Sequence, residues 1–97
     1  MKNIVENLKK EKSVIFTAHG NSMSPKIENG ETIEVSSSVA NLKIGDVVLC
    51  KVHGRYYIHL IKSMKTEKNG KVKYLISNNK GHENGWIGIK SIFGKKI

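Results

Sequence analysis

Two residues of this chain could together move an acyl group. Ser22 stands in Gly20-Asn21-Ser22-Met23-Ser24-Pro25, a glycine-opened turn followed by Gly30-Glu31-Thr32-Ile33-Glu34-Val35. His59 lies inside the apolar run Tyr56-Tyr57-Ile58-His59-Leu60-Ile61. A serine hydroxyl is a weak nucleophile until a neighbouring base takes its proton, and a neutral imidazole with an ordinary pKa of about 6.5 suits that task near neutrality. The pair therefore points to serine peptidase chemistry: His59 accepts the Ser22 proton, the oxygen attacks a backbone carbonyl, and His59 returns the proton to the leaving amine. Candidate oxyanion donors are the amides of Ser22 and its turn neighbours Gly20, Asn21 and Met23, because glycine lets an extended substrate approach the backbone. Met23 is expected on the floor of the cleft, with Pro25 fixing the exit from the turn. A histidine base predicts activity that rises through about pH 6 to 7, and a lysine base would move that rise upward.

Plainer readings exist for each residue. Glycine, asparagine and serine are common in turns for conformational reasons alone. A titratable ring between Ile58 and Leu60 is costly to bury without a partner, which favours the pair. Lys62 is the other candidate base, yet in a regular strand it points to the face opposite His59 and could replace it only through a bulge. His19, His53 and His82 are expected in turns or on the surface. Cys50, His53 and His59 contain no tight ligand pair such as Cys-x-x-Cys, so neither zinc nor another cofactor is expected.

The elements that must position Ser22 and His59 are short. Ile4, Val5 and Leu8 recur at helical spacing within Lys2 to Lys12, which predicts an amphipathic N-terminal helix packed on a sheet. Val14 to Ala18 reads as a buried strand ending just before Gly20, and Thr32 to Val35 as a second strand followed by a polar loop from Ser36 to Asn41. Gly45-Asp46 opens a strand through Val52, His53-Gly54 makes a hairpin turn, and the returning strand runs from Arg55 to about Lys65. Asn69-Gly70 is a second hairpin signal leading into Val72 to Ile76. Gly81, Gly85 and Gly88 loosen Ser77 to Ile89, and Ile92 to Ile97 closes the sheet. Trp86 is expected to anchor the glycine-rich loop in the core. Short strands, glycine turns and one terminal helix predict a small, mainly antiparallel β domain over residues 1–97.

Ninety-seven residues fit one domain, and no apolar run is long enough for a transmembrane segment or signal peptide, so a cytoplasmic protein is expected. The single cysteine excludes an internal disulfide, and Cys50 reads as a small core hydrophobe within Val47-Val48-Leu49-Cys50. A formal net charge of +9 makes nucleic acid, an anionic membrane surface or an acidic protein reasonable partners, although most of the scattered lysines read as a solvated face.

The order of motifs has a precedent. Gly20-Asn21-Ser22-Met23-Ser24-Pro25, with Gly30-Glu31 after it, resembles the nucleophile box of the LexA and signal peptidase families, Gly-x-Ser-Met-x-Pro and then Gly-Asp. Gly45-Asp46-Val47-Val48, Leu75-Ile76-Ser77-Asn78-Asn79 and Ile92-Phe93-Gly94-Lys95 are similar to their later boxes. His59 falls at the position of the general base, a lysine in LexA-type repressors and bacterial signal peptidases and a histidine in the archaeal and endoplasmic reticulum enzymes. The resemblance covers nearly all of the chain after Val14 and implies the histidine branch. Three positions depart from the pattern. Glu31 replaces the usual aspartate, Leu60 stands where an arginine commonly follows the base, and Asn78 stands where an aspartate would orient the histidine. Asn78 as a neutral acceptor and Glu83 as a charged one are the candidates to hold the far ring nitrogen. The implied substrate is a protein or peptide bound as an added strand. With only twenty-one residues before Ser22, LexA-type self-cleavage is not expected, and signal peptidase work sits poorly with the lack of an anchor. The competing reading is a non-catalytic β module whose basic surface binds nucleic acid or an acidic protein. Oligomeric state is not indicated.

Overall fold

Seven strands join in one antiparallel sheet with the order β1-β2-β7-β3-β4-β5-β6. They are β1 (Ser13–Thr17), β2 (Thr32–Ser36), β3 (Val47–Val52), β4 (Arg55–Thr66), β5 (Val72–Ser77), β6 (Glu83–Gly88) and β7 (Ile92–Lys96). One helix, α1 (Lys2–Leu8), precedes the sheet, and a single 3-10 turn at Ile89–Ser91 leads into β7. The computed structural model describes residues 1–97. Its mainly antiparallel β architecture with a short N-terminal helix is the one the alternating runs predict, and no helix is long and apolar enough to cross a membrane.

β3 organises the interior. Every residue of Val47-Val48-Leu49-Cys50-Lys51-Val52 except Lys51 is buried, and alternate residues of a strand face opposite sides, so the strand feeds two cores. Val47 and Leu49 join Val5, Leu8, Ile33 and Val35 in the first; Val48, Cys50 and Val52 join Ile61, Ile76 and Ile92 in the second. Burial pushes the Cys50 thiol up to about 12, so it stays protonated and packs as the expected small hydrophobe. β7 lies between β2 and β3 and thereby ties the two cores together. Gly94 permits this closeness: a Cβ there would fall 2.5 Å from Val35 Cγ1 and 2.7 Å from the Ser36 carbonyl oxygen.

Three expectations change. The helix ends at Leu8 rather than Lys12, because Val5 and Leu8 are its buried residues and Lys9-Lys10-Glu11-Lys12 offers no apolar side chain to pack. Ser77 to Ile89 is not all loop: Glu83–Gly88 pairs with β5 through Ser77↔Glu83, Ile76↔Gly85, Leu75↔Trp86 and Tyr74↔Ile87. Backbone pairing to a neighbour outweighs the poor strand propensity of Gly85 and Gly88. Trp86 does not anchor a core. Alternation along β6 buries Ile87 in the second core and turns Trp86 outward, where it is 41% exposed.

Candidate active site

The serine loop is closed at its neck by two backbone bonds. Ala18 N–H donates to the Glu31 carbonyl at 2.8 Å, and Gly30 N–H donates to the Ala18 carbonyl at 2.8 Å. Gly20 then turns the chain with φ +98°, a left-handed conformation that costs an L residue strain. Its N–H donates to Asn29 Oδ1 at 2.9 Å, so this amide is committed to the loop and is unavailable as an oxyanion donor. Met23 and Ile27 are buried in the first core. Met23 therefore pins the loop from beneath instead of lining an open cleft floor as expected. From the far side of the sheet, Asn79 clamps the same loop. Its N–H donates to the Ser22 carbonyl at 2.9 Å, and its Nδ2 donates to the Ser24 carbonyl at 3.0 Å.

β4 carries His59, which pairs with Val48 of β3, is 6% exposed, and stacks on Tyr57 with ring centroids 4.8 Å apart. The fold brings Ser22 and His59 together across 37 residues of sequence: Ser22 Oγ lies 3.1 Å from His59 Nε2. On the other side of the ring, Nδ1 lies 2.7 Å from Asn84 Oδ1. A carboxamide oxygen only accepts, so Nδ1 carries the hydrogen and Nε2 presents its lone pair to the serine hydroxyl. Burial lowers the His59 pKa from its ordinary value; the Asn84 hydrogen bond raises it in part, and the charge of nearby His82 lowers it further. The ring is thus held neutral, the form a general base needs.

Neither expected orienting residue reaches the imidazole. Asn78 Oδ1 accepts the N–H groups of Lys80 and His82, both at 2.9 Å, and so braces the turn between β5 and β6. Glu83 binds Lys62 Nζ at 2.7 Å. Asn84 takes the role because it is the extra residue of a β-bulge: Ile76 pairs with Gly85 and Ser77 with Glu83, leaving Asn84 unpaired between them. Bulges re-aim side chains in this way. Lys62 likewise occupies a bulge, between Ile61↔Ile76 and Ser63↔Leu75, yet its ammonium is held at the surface by Glu83.

A cavity of about 330 Å³ opens over the pair, lined by His19, Ser22, Tyr57, His59, His82 and Asn84 among others. His19 and His82 are exposed and lie outside the helix and strands, as expected, and both border the cavity. His53, by contrast, does sit in the β3–β4 hairpin turn, with φ +48°. Cys50, His53 and His59 are not gathered into a ligand set, and no group of three His, Cys, Asp or Glu side chains is placed to hold a metal ion. Neither Asn84 nor the clamp made by Asn79 was singled out by sequence. The adjacent Asn78-Asn79 box was the only local hint of the clamp.

No curated protein and no solved structure matches the chain. A family model described as Peptidase S24-like matches residues 2–97. That match runs through the serine loop, the histidine strand and the closing strand alike, and not through one box alone, so the chain belongs to the Peptidase S24-like family.

Proposed function

We propose that this protein is a serine peptidase in which Ser22 is the nucleophile, His59 the general base and Asn84 the residue that positions it. The observation that supports this reading most directly is the continuous relay from Ser22 Oγ to His59 Nε2 at 3.1 Å and from His59 Nδ1 to Asn84 Oδ1 at 2.7 Å. His59 takes the serine proton as Oγ bonds to the substrate carbonyl carbon. It then donates that proton to the leaving amine as the C–N bond breaks, and water hydrolyses the acyl-enzyme by the same steps in reverse. With Gly20 committed to Asn29, the oxyanion donors are drawn from Asn21, Ser22 and Met23, whose amides donate to no protein acceptor. The substrate is a peptide or protein segment bound as an extended strand, and the free side of the edge strand β6, which carries Asn84, offers the backbone for it.

A fluorophosphonate serine reagent read by mass spectrometry tests the proposal. Wild type is expected to gain one adduct on Ser22. Ser22→Ala should gain none, and His59→Ala should react about 100-fold more slowly, the low end of what a general base contributes. No adduct on Ser22 anywhere between about pH 6 and 9, where a neutral imidazole can act, would overturn the peptidase and leave a non-catalytic binding module.

A further inference from the structure

A second and larger cavity, of about 540 Å³, lies where β5, the end of β6 and the 3-10 turn meet. It shares no residue with the cavity over Ser22. Lys71, Lys73, Lys90, Tyr74, Gly88 and Ser91 are among its lining residues, and no carboxylate is. Lys73 is the register partner of Lys65 on β4 and of Gly88 on β6. Lys65 Nζ in turn rests 4.4 Å from the centroid of the Trp86 ring. The basic cavity therefore continues, through Lys73 and Lys65, onto an exposed indole.

Charge is concentrated on the same part of the chain. Residues 62–97 hold nine lysines and two glutamates, so +7 of the total +9 falls there. The two salt bridges, Lys62–Glu83 and Lys95–Asp46, use none of Lys65, Lys71, Lys73 and Lys90. Three ammonium groups around one hollow, with that of Lys65 beside it on Trp86, repel one another and attract a polyanion. An acidic polypeptide would satisfy the lysines but has no particular use for an open indole. Single-stranded nucleic acid has both phosphates and exposed base faces, and lysines with an aromatic platform are how such strands are held. We infer that this face binds single-stranded nucleic acid, with phosphates on Lys71, Lys73 and Lys90 and a base stacked on Trp86 in place of the Lys65 ammonium. Displacing one flexible lysine side chain opens the ring, and the freed ammonium then faces the incoming backbone.

Trp86 is the chain's one tryptophan, so its fluorescence reports on the platform directly. Titration with an oligothymidylate of about twelve nucleotides is expected to quench it saturably. Three phosphate contacts predict a slope of about −2 in log affinity against log salt, a loss of about 16-fold between about 50 and 200 mM. The variant Lys73→Gln/Lys90→Gln should bind roughly tenfold more weakly with a flatter salt slope. Trp86→Ala, followed by anisotropy of a labelled oligonucleotide, should lose roughly tenfold while keeping the slope. Ser22→Ala should bind as wild type, so this result stands apart from the outcome of the serine-reagent experiment. Absence of quenching and of anisotropy change at low salt would overturn the inference, as would undiminished binding by the lysine variant. Equal affinity for polyglutamate of matched charge would overturn it in favour of an acidic polypeptide partner.

Discussion

An amide at the far nitrogen of a base histidine does less than a carboxylate would, and the difference is measurable. A carboxylate stabilises the imidazolium and raises its pKa; the Asn84 carboxamide fixes tautomer and ring orientation without a charge. Burial is the dominant influence on His59 and lowers its pKa below the ordinary 6.5. The neutral base therefore persists to lower pH, and the acid limb of Ser22 acylation is expected with its midpoint below 6.5, under the pH 6 to 7 range that an unperturbed imidazole predicts. Two substitutions move that limb in opposite directions. Asn84→Ala removes the contact that raises the pKa, so the midpoint falls further, and loss of one net hydrogen bond slows acylation about tenfold. Asn84→Asp sets a charge against Nδ1–H and lifts the midpoint. Rates of reagent labelling across pH would decide, and a shift of both variants in the same direction would refute the positioning role.

One of two bulges decides which side chain meets the imidazole. Lys62 in β4 and Asn84 in β6 are each the unpaired residue of a register skip; Lys62 stays at the surface on Glu83, whereas Asn84 is turned onto His59 Nδ1. This is why the pair Ser22 and His59 was legible in the sequence while Asn84 was not. A glycine-opened turn and an apolar run mark the first two locally. Asn84 and its neighbours Glu83 and His82 lie in a glycine-rich stretch whose strand character comes only from pairing with β5. Strands β1 to β5 and β7 showed alternation or β-branched runs of their own and were read to within a residue or two; β6 had no such local signal, so the exposure of Trp86 was missed with it. Close approach at β7 makes a separate prediction. Gly94→Ala places a methyl group 2.5 Å from Val35 Cγ1 and 2.7 Å from a backbone carbonyl that cannot swing aside. Unfolding in urea is expected to show a loss of about 1 to 3 kcal/mol, the range for overpacking. An unchanged midpoint would mean that β2 and β7 separate freely.

Taken as a whole, the molecule buries a neutral histidine in a strongly basic chain. The folded-state pKa of His59 lies below its unfolded value of 6.5, so its contribution is fully present above pH 6.5 and is lost as the pH falls and the unfolded chain takes up the proton more readily. Stability measured in urea should therefore decline from pH 7 toward pH 5 more steeply in wild type than in His59→Gln; parallel slopes would count against it. Sheet order carries a further consequence. Ser22 belongs to the β1–β2 side and His59 to the β3–β6 side, and β7, the last strand made, is the only one that hydrogen-bonds to both. While the ribosome still holds Ile92 to Lys96, the two halves have no shared backbone ladder. Side-chain packing in the first core and the Asn79 clamp are then all that join the serine loop to the histidine strand, so β7 completes the frame that fixes hydroxyl against imidazole.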